Sequence, residues 1–247
     1  MTLLNVTARD YTFENIKLHN PSMLEIADKI DDEEDFLFAL KVLSSSLLDM
    51  MTIDIPHNFS NFDLFLGLLI DQKEIQKIFS QNKLSAINNL LQLIFLDYKI
   101  SIGQEEVIFN KENNFIVLNS NNFTTFQNIV QSMFKTSFLF GGDGNHDDYN
   151  PGSEEARRIA EKLRKGKQKV AELKGQMNNK TAVIENYIIM VSVGLHLSPN
   201  EISQLTLYQI LTLFERVKMK IEWDLDIDCR LAGGTPDEHP DNWMSII

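Results

Sequence analysis

Hydrophobic residues in the first half of the chain recur every three or four positions, which is the spacing of one face of an α-helix. The pattern is clearest over residues 35–52, where Phe36, Leu40 and Leu43 would share one side of a helix. The acidic run Asp31–Asp35 favours the start of that helix, because the helix dipole stabilises negative charge there. Further helices are predicted from Asn20-Pro21-Ser22 onward, over 61–70, 72–79 and 83–96, and from Phe123 to Phe134.

Near residue 98 the period of the apolar positions changes to two, the spacing of a β-strand. Alternating apolar residues from Tyr98 to Ile102 precede two apolar runs, at 107–109 and 115–118, that flank a polar turn. This pattern predicts a small antiparallel sheet of two or three strands. The first twenty residues look irregular, apart from one strand predicted at Thr2–Thr7.

The clearest break in the chain is the Gly/Asp-rich segment 141–152, with the sequence GGDGNHDDYNPG. Turn-forming residues dominate it, which predicts an acidic linker between an N-terminal α+β domain at 1–140 and a C-terminal helical domain at 153–247. The fold class is therefore predicted to be mostly α, with a small antiparallel β element in the N-terminal domain. We expect the two domains to fold separately, because the linker has few apolar residues that could hold a fixed interface.

The C-terminal domain is predicted to consist of helices followed by an extended arm. A polar helix starts after Ser153, and an apolar helix over 181–194 is expected to be better buried. A short helix from Ser198 leads to the longest one, from about Thr206 to Ile227. The tail LAGGTPDEHPDNWMSII has the Gly and Pro residues of an extended arm.

Two apolar features of the C-terminal domain are candidate partner-binding sites. Leu207, Phe214 and Ile221 share one face of the longest helix. Trp243 and Met244 follow the Gly/Pro-rich arm, and these residue types are common anchors in protein interfaces. The sequence leaves open whether Trp243 and Met244 dock on their own domain or bind a partner.

The charge of the chain is unevenly distributed. The net charge is −12, which argues against duplex DNA as the main partner. Residues 154–180 reverse this sign, with nine basic and four acidic side chains. Their basic cluster, including Arg157, Arg158 and Lys165, is either a solvated helix face or a docking surface for an acidic partner. Binding to single-stranded nucleic acid is disfavoured, because the segment lacks the aromatic residues on which bases stack.

The linker also contains a partial calcium-binding pattern. Asp143, Asn145, Asp147 and Glu154 occupy positions 1, 3, 5 and 12 of an EF-hand-like loop. Asp148 stands at position 6, where the sharp turn of such a loop requires glycine. We therefore interpret the segment as a linker and expect neither a metal nor a cofactor.

The sequence contains no recognisable catalytic signature. It lacks a phosphate-binding loop, an HExxH motif and a GxSxG motif, and its five histidines are scattered. Cys229 is the single cysteine, which excludes an internal disulfide. No apolar run is long enough to span a membrane, and the first residues do not resemble a secretory signal. These features predict a non-enzymatic, cytoplasmic protein.

The order of features over residues 150–247 is distinctive. The polar helix NPGSEEARRIAEKLRKGKQKVAELKG precedes the apolar helix, then comes LSPNEISQLTLYQILTLFERVKMKIEWDLDI, and the chain ends in CRLAGGTPDEHPDNWMSII. This order resembles the tail assembly chaperones of tailed bacteriophages of Gram-positive bacteria, in which a leucine-alanine-glycine arm and a tryptophan-methionine end recur. The C-terminus of that family is more polar than the last three residues of this chain, Ser245-Ile246-Ile247.

The resemblance implies a role in virus assembly. Such chaperones bind the aggregation-prone tape measure protein, help to recruit tail tube protein, and leave the finished particle. Many exist in a short form and a long frameshifted form, and the two-part layout here fits the long form. The resemblance therefore implies action in the cytoplasm of the infected bacterial host and absence from the mature virion. Self-association is left open by the sequence. The alternative is a structural tail or baseplate component retained in the virion.

Overall fold

The computed structural model describes residues 11–45, 60–70, 79–112, 114–140 and 183–232. Within these ranges the protein is mostly helical with two small antiparallel sheets, which confirms the predicted fold class. The strands are β1 (Tyr11–Phe13), β2 (Ile16–Leu18), β3 (Lys99–Ile102), β4 (Val107–Lys111) and β5 (Asn114–Leu118). The helices are α1 (Met23–Ala27), α2 (Glu33–Ser44), α3 (Asn61–Leu69), α4 (Gln81–Ile94), α5 (Phe123–Phe134), α6 (Thr136–Phe140), α7 (Val183–Leu195), α8 (Pro199–Ser203) and α9 (Leu207–Leu231).

A tight hairpin, β1–β2, shows that the expectation of an irregular first twenty residues was wrong. Phe13 lies opposite Ile16, so Glu14 and Asn15 form a two-residue turn. Both turn residues have positive φ angles, 43° and 67°, the conformation that best matches the twist of paired strands. Phe13 and Leu18 are buried, so even this short hairpin contributes to the core. The strand predicted at Thr2–Thr7 lies outside the described residues.

Side-chain caps determine where several helices begin. In α2, the Asp32 carboxylate accepts hydrogen bonds from the backbone N–H groups of Glu34 at 2.7 Å and Asp35 at 3.3 Å. These contacts satisfy N–H groups that have no partner within the helix. Reciprocal capping boxes begin four other helices and consist of the pairs Ser22/Glu25, Ser60/Asp63, Ser198/Glu201 and Thr206/Gln209.

The helix predictions for the N-terminal part are confirmed where the structure describes them. The predicted segments 61–70 and 83–96 correspond to α3 and α4. The segment 35–52 corresponds to α2 as far as Ser44, and its residues 46–52 lie outside the described ranges. Most of the segment 72–79 also lies outside them.

The predicted antiparallel sheet is present as the three strands β3, β4 and β5 in sequential order. Val107 and Phe109 on β4, and Ile116 and Leu118 on β5, are buried, because alternate residues of each strand face the core. Helix α5 follows directly, with Asn122 at the N-cap position, although its side chain makes no capping bond. Asn122 instead accepts a hydrogen bond from the backbone N–H of residue 119 at 2.9 Å.

The core of the N-terminal part is rich in phenylalanine. Phe95 stacks on Phe109 with ring centroids 3.7 Å apart. Phe126 contacts Phe95 at 5.7 Å and Phe13 at 5.6 Å. These four rings join the C-terminal end of α4, β4, α5 and β1 into one aromatic cluster. Such rings bury large apolar areas and stabilise one another through edge and stacked contacts.

The C-terminal helices pack against this N-terminal core. Ile184 of α7 and Leu207 and Leu211 of α9 belong to the same hydrophobic cluster as the N-terminal phenylalanines. The shared cluster argues against independent folding of the two parts, because separation would expose these side chains to water. Segment 141–152 lies outside the described residues, so the domain boundary placed there stays a prediction.

Polar contacts reinforce the same interface. The backbone N–H of Met23 donates to the carbonyl oxygen of Leu205 at 2.9 Å. Lys135, which ends α5 in the left-handed conformation, forms an ion pair with Glu215 of α9. Both side chains of this pair are largely buried. The long helix is therefore fixed to the N-terminal part by main-chain and charged contacts as well as by apolar ones.

Candidate functional site

Helix α7 has one face turned toward the body of the protein. Ile184 and Val191 are buried, and Tyr187 and Ile188 are partly buried beside them. Their spacing of three, one and three residues places all four on one stripe of the helix. Burial raises the pKa of the Tyr187 hydroxyl above its ordinary value. This inner stripe holds α7 against α9 and the N-terminal core.

The opposite side of α7 faces solvent and carries three apolar residues, with the exposed Asn186 beside them in the first turn. Ile189, Met190 and Val193, defined here as the α7 outer face, are 51%, 42% and 69% exposed. The prediction that 181–194 is better buried than the preceding polar helix stays a prediction, because that helix lies outside the described residues. A helix that is apolar on all sides is usually buried all round. An uncovered apolar face on such a helix is a candidate surface for binding another protein.

The start of α7 is held by a carboxylate from a distant part of the chain. Glu33, in the first turn of α2, accepts hydrogen bonds from the backbone N–H groups of Ile184 at 2.7 Å and Glu185 at 3.4 Å. Beside this contact lies a shallow depression of about 190 Å³ between α1, α2 and α7. It is lined by apolar side chains, including Met23 and Phe36, and by acidic residues from Asp31 to Glu33.

The end of α7 is held by a close helix–helix contact. A Cβ atom added at Gly194 would lie 2.5 Å from Cγ1 and 3.1 Å from Cγ2 of Val217 on α9. The missing side chain of Gly194 therefore allows the two helices to approach each other. Between the two ends, Tyr187 and Phe214 pack at 4.6 Å, and Phe138 contacts both rings. The position of the outer face is thus fixed along the length of α7.

Replacing Gly194 with alanine is expected to destabilise the protein by about 1–2 kcal/mol. Overpacking against Val217 costs about 1–3 kcal/mol, which exceeds the gain of roughly 1 kcal/mol that alanine brings to a helix. Urea denaturation measures the change. In a Val217→Ala background the clash is removed, so Gly194→Ala should become neutral or stabilising. Equal destabilisation in both backgrounds would contradict the close contact.

The structure separates the three residues predicted to share a binding face of the long helix. Leu207 is 0% exposed and packs in the core, so it presents no surface to a partner. Phe214 is partly buried among the aromatic rings described above. Ile221 is 47% exposed and remains available for binding.

The other predicted site residues lie outside the described part of the chain. These are the arm residues Trp243 and Met244, the basic residues Arg157, Arg158 and Lys165, and the partial calcium pattern Asp143, Asn145, Asp147 and Glu154. Their proposed roles stay predictions.

Sequence reasoning missed the α7 outer face, although the signal was present. The segment VIENYIIMVSVGL carries apolar residues at positions that no single helical stripe can contain. Two opposite stripes require two covering surfaces, and the residues that the structure describes supply one of them.

Within the described ranges, no group of three or more His, Cys, Asp or Glu side chains is arranged to hold a metal ion. His19 is paired with Glu25 at 2.9 Å. Burial acts to raise the pKa of Glu25, but hydrogen bonds from Ser22 and His19 outweigh it and lower the pKa. This pair belongs to the cap of α1.

Among the helices that the structure describes, none has the length and apolar character needed to cross a bilayer.

Comparisons with protein-family models, with curated proteins and with solved structures found no match to this chain.

Proposed function

We propose that this protein is a phage tail assembly chaperone that binds and solubilises the tape measure protein and helps to recruit tail tube subunits. Two features support the proposal. Residues 150–247 resemble this class of chaperone in the order of their helices and in their terminal motif. The α7 outer face supplies an exposed apolar surface on a chain with a net charge of −12. The proposed mechanism depends on the second observation, because a chaperone needs exposed apolar surface to cover an aggregation-prone client.

The mechanism is the shielding of amphipathic client helices. Ile189, Met190 and Val193 have the spacing of one helical stripe, which is suited to the apolar face of another helix. Methionine adapts its shape to different neighbours, so Met190 suits a surface that meets many similar client segments. The net charge of −12 keeps the complex soluble through repulsion between complexes.

The rigidity of α7 contributes to binding. Glu33 holds its first turn, Gly194 fits against Val217 near its last turn, and Tyr187 packs against α9 between them. A surface that is already ordered loses less conformational entropy when a partner binds. Client binding therefore needs no rearrangement of α7.

The experiment is co-expression with the tape measure protein of the phage that encodes this chain. The wild-type protein should raise the yield of soluble tape measure protein per cell. The triple variant Ile189→Gln, Met190→Gln and Val193→Gln keeps helix-compatible side chains and removes the apolar surface. We expect this variant to lose about tenfold or more in affinity, because interfaces depend on a few apolar anchors. The yield of soluble client should fall accordingly.

A matched control places the same residue type at exposed apolar positions of the sheet. Phe115→Gln with Ile102→Gln removes exposed apolar surface elsewhere, and the client yield should stay at the wild-type level. Equal yields with the wild type and the triple variant would reject the α7 outer face as the client site. Mass spectrometry of purified virions tests the alternative, since a retained structural component would be present in stoichiometric amounts.

A further inference from the structure

The shallow depression between α1, α2 and α7 has a mostly apolar lining. Its volume of about 190 Å³ is close to that of a cavity that accommodates one benzene-sized group, roughly 150 Å³. It therefore has room for a single leucine-sized side chain from another segment. The apolar residues that line it are Met23, Ile26, Ile30, Phe36, Ile184 and Ile188.

The rim of the same depression is acidic. Asp31, Asp32 and Glu33 contribute to it from the junction of α1 and α2, and Glu185 contributes from α7. None of the described residues that line it is basic. Asp32 caps α2 and Glu33 holds the first turn of α7, whereas Asp31 and Glu185 are exposed beside them. A cationic partner is therefore favoured at this rim.

The part of the chain with the opposite charge is joined directly to this depression. Residues 154–180, called here the basic segment, carry nine basic and four acidic side chains. Ile184, which lines the depression, follows Lys180 by four residues. At 3.8 Å between consecutive Cα atoms, the Cα atoms of Lys180 and Ile184 are at most about 15 Å apart. Such a short connection gives the basic segment an effective concentration of about millimolar at the rim, which favours it over a separate molecule.

The basic segment also has apolar residues with suitable spacing. Val170 and Leu173 are three residues apart, so they lie on one side of the helix predicted there. Lys169 and Lys174 are their neighbours in the sequence and flank them with positive charge. Gly175 favours a turn between this helix and α7. The segment thus combines an apolar side chain and two cations, which are the groups that complement the depression.

We propose that residues 169–174 of the basic segment bind in the depression between α1, α2 and α7 of the same chain. Leu173 enters the apolar lining, and the lysines beside it meet the exposed carboxylates of Asp31 and Glu185. The contact joins the basic segment to both parts of the chain. The proposal concerns the side of α7 next to α1 and α2, and it does not depend on client binding by the α7 outer face.

Hydrogen–deuterium exchange of the full chain at micromolar concentration, followed by mass spectrometry, tests the proposal. In the wild type, the amides of residues 169–174 should exchange at least about tenfold more slowly than in a synthetic peptide of the basic segment, because binding protects them. We expect Asp31→Lys with Glu185→Lys to remove most of this protection, since the rim then repels the lysines. Adding Lys169→Glu and Lys174→Glu to that variant should restore the protection.

A matched control makes the same change of net charge away from the depression. Glu105 and Glu112 are exposed in the turns of the three-stranded sheet, and Glu105→Lys with Glu112→Lys should leave the protection at the wild-type level. A lysine at position 185 also weakens the start of α7, because the helix dipole disfavours positive charge there. Leu173→Gln leaves the rim and α7 unchanged and should remove the protection by itself, so it tests the contact even if the rim variant alters α7.

Several results would overturn the proposal. One is exchange of residues 169–174 in the wild type as fast as in the peptide. Another is protection that survives Leu173→Gln, which would mean that the segment binds elsewhere. Protection that increases with protein concentration would mean binding to a second copy, and it would overturn the assignment to the same chain. Recovery of protection in the chain with all four charge changes supports the pairing of the lysines with the rim, and its absence would contradict that pairing.

Discussion

Phe126→Ala should lower the free energy of unfolding by roughly 3–5 kcal/mol, the usual cost of truncating a buried phenylalanine. The Phe126 side chain is fully buried and contacts both Phe13 and Phe95. Its loss would leave a cavity where β1, α4 and α5 meet, and the rigid rings around it cannot close that cavity. Equilibrium denaturation in urea measures the change.

The matched control is Phe115→Ala on β5, where the phenylalanine is exposed. We expect a change of about 1 kcal/mol or less there, since surface substitutions remove little packing. Similar losses at Phe115 and Phe126 would contradict the aromatic cluster as the centre of the core.

Leu211→Ala should lower the free energy of unfolding by about 2–5 kcal/mol, although Leu211 lies 71 residues beyond Phe140, the end of the last described helix of the N-terminal part. Leu211 is fully buried in the cluster that joins α9 to the N-terminal core. The same substitution at Leu231, which is exposed on α9, should have a small effect. The difference measures how much the two parts of the chain depend on each other.

The same experiment tests cooperativity. The two tryptophans of the chain, Trp223 and Trp243, both lie in the C-terminal part, so tryptophan fluorescence reports its unfolding. Circular dichroism reports the helices of the whole chain. Coincident transitions by the two probes are expected for one cooperative unit. Two separate transitions, with only the fluorescence transition shifted by Leu211→Ala, would instead support independent domains.

The sequence alone determined most helix starts, because those depend on contacts between neighbouring residues. The acidic run at Asp31–Asp35 predicted the start of α2, and Asp32 does cap it. Strands β3 to β5 were predictable for a similar reason. The alternation of apolar and polar residues and the turn residues are local features of the sequence, and the strands pair in sequential order. The hairpin β1–β2 was missed, because three-residue strands are too short to show a period of two.

Only the tertiary structure decided which apolar faces are covered. Leu207 and Ile221 belong to the same predicted face of α9, yet one is in the core and the other is in solvent. Leu207 packs in the cluster with the N-terminal core, whereas Ile221 lies four residues beyond Val217, the residue that contacts Gly194 near the end of α7. Likewise, Val191 is buried while Val193 is exposed, because among the described elements only those on one side of α7 pack against it. Periodicity defines the faces of a helix, but burial depends on the length and position of a neighbouring helix, which can be distant in sequence.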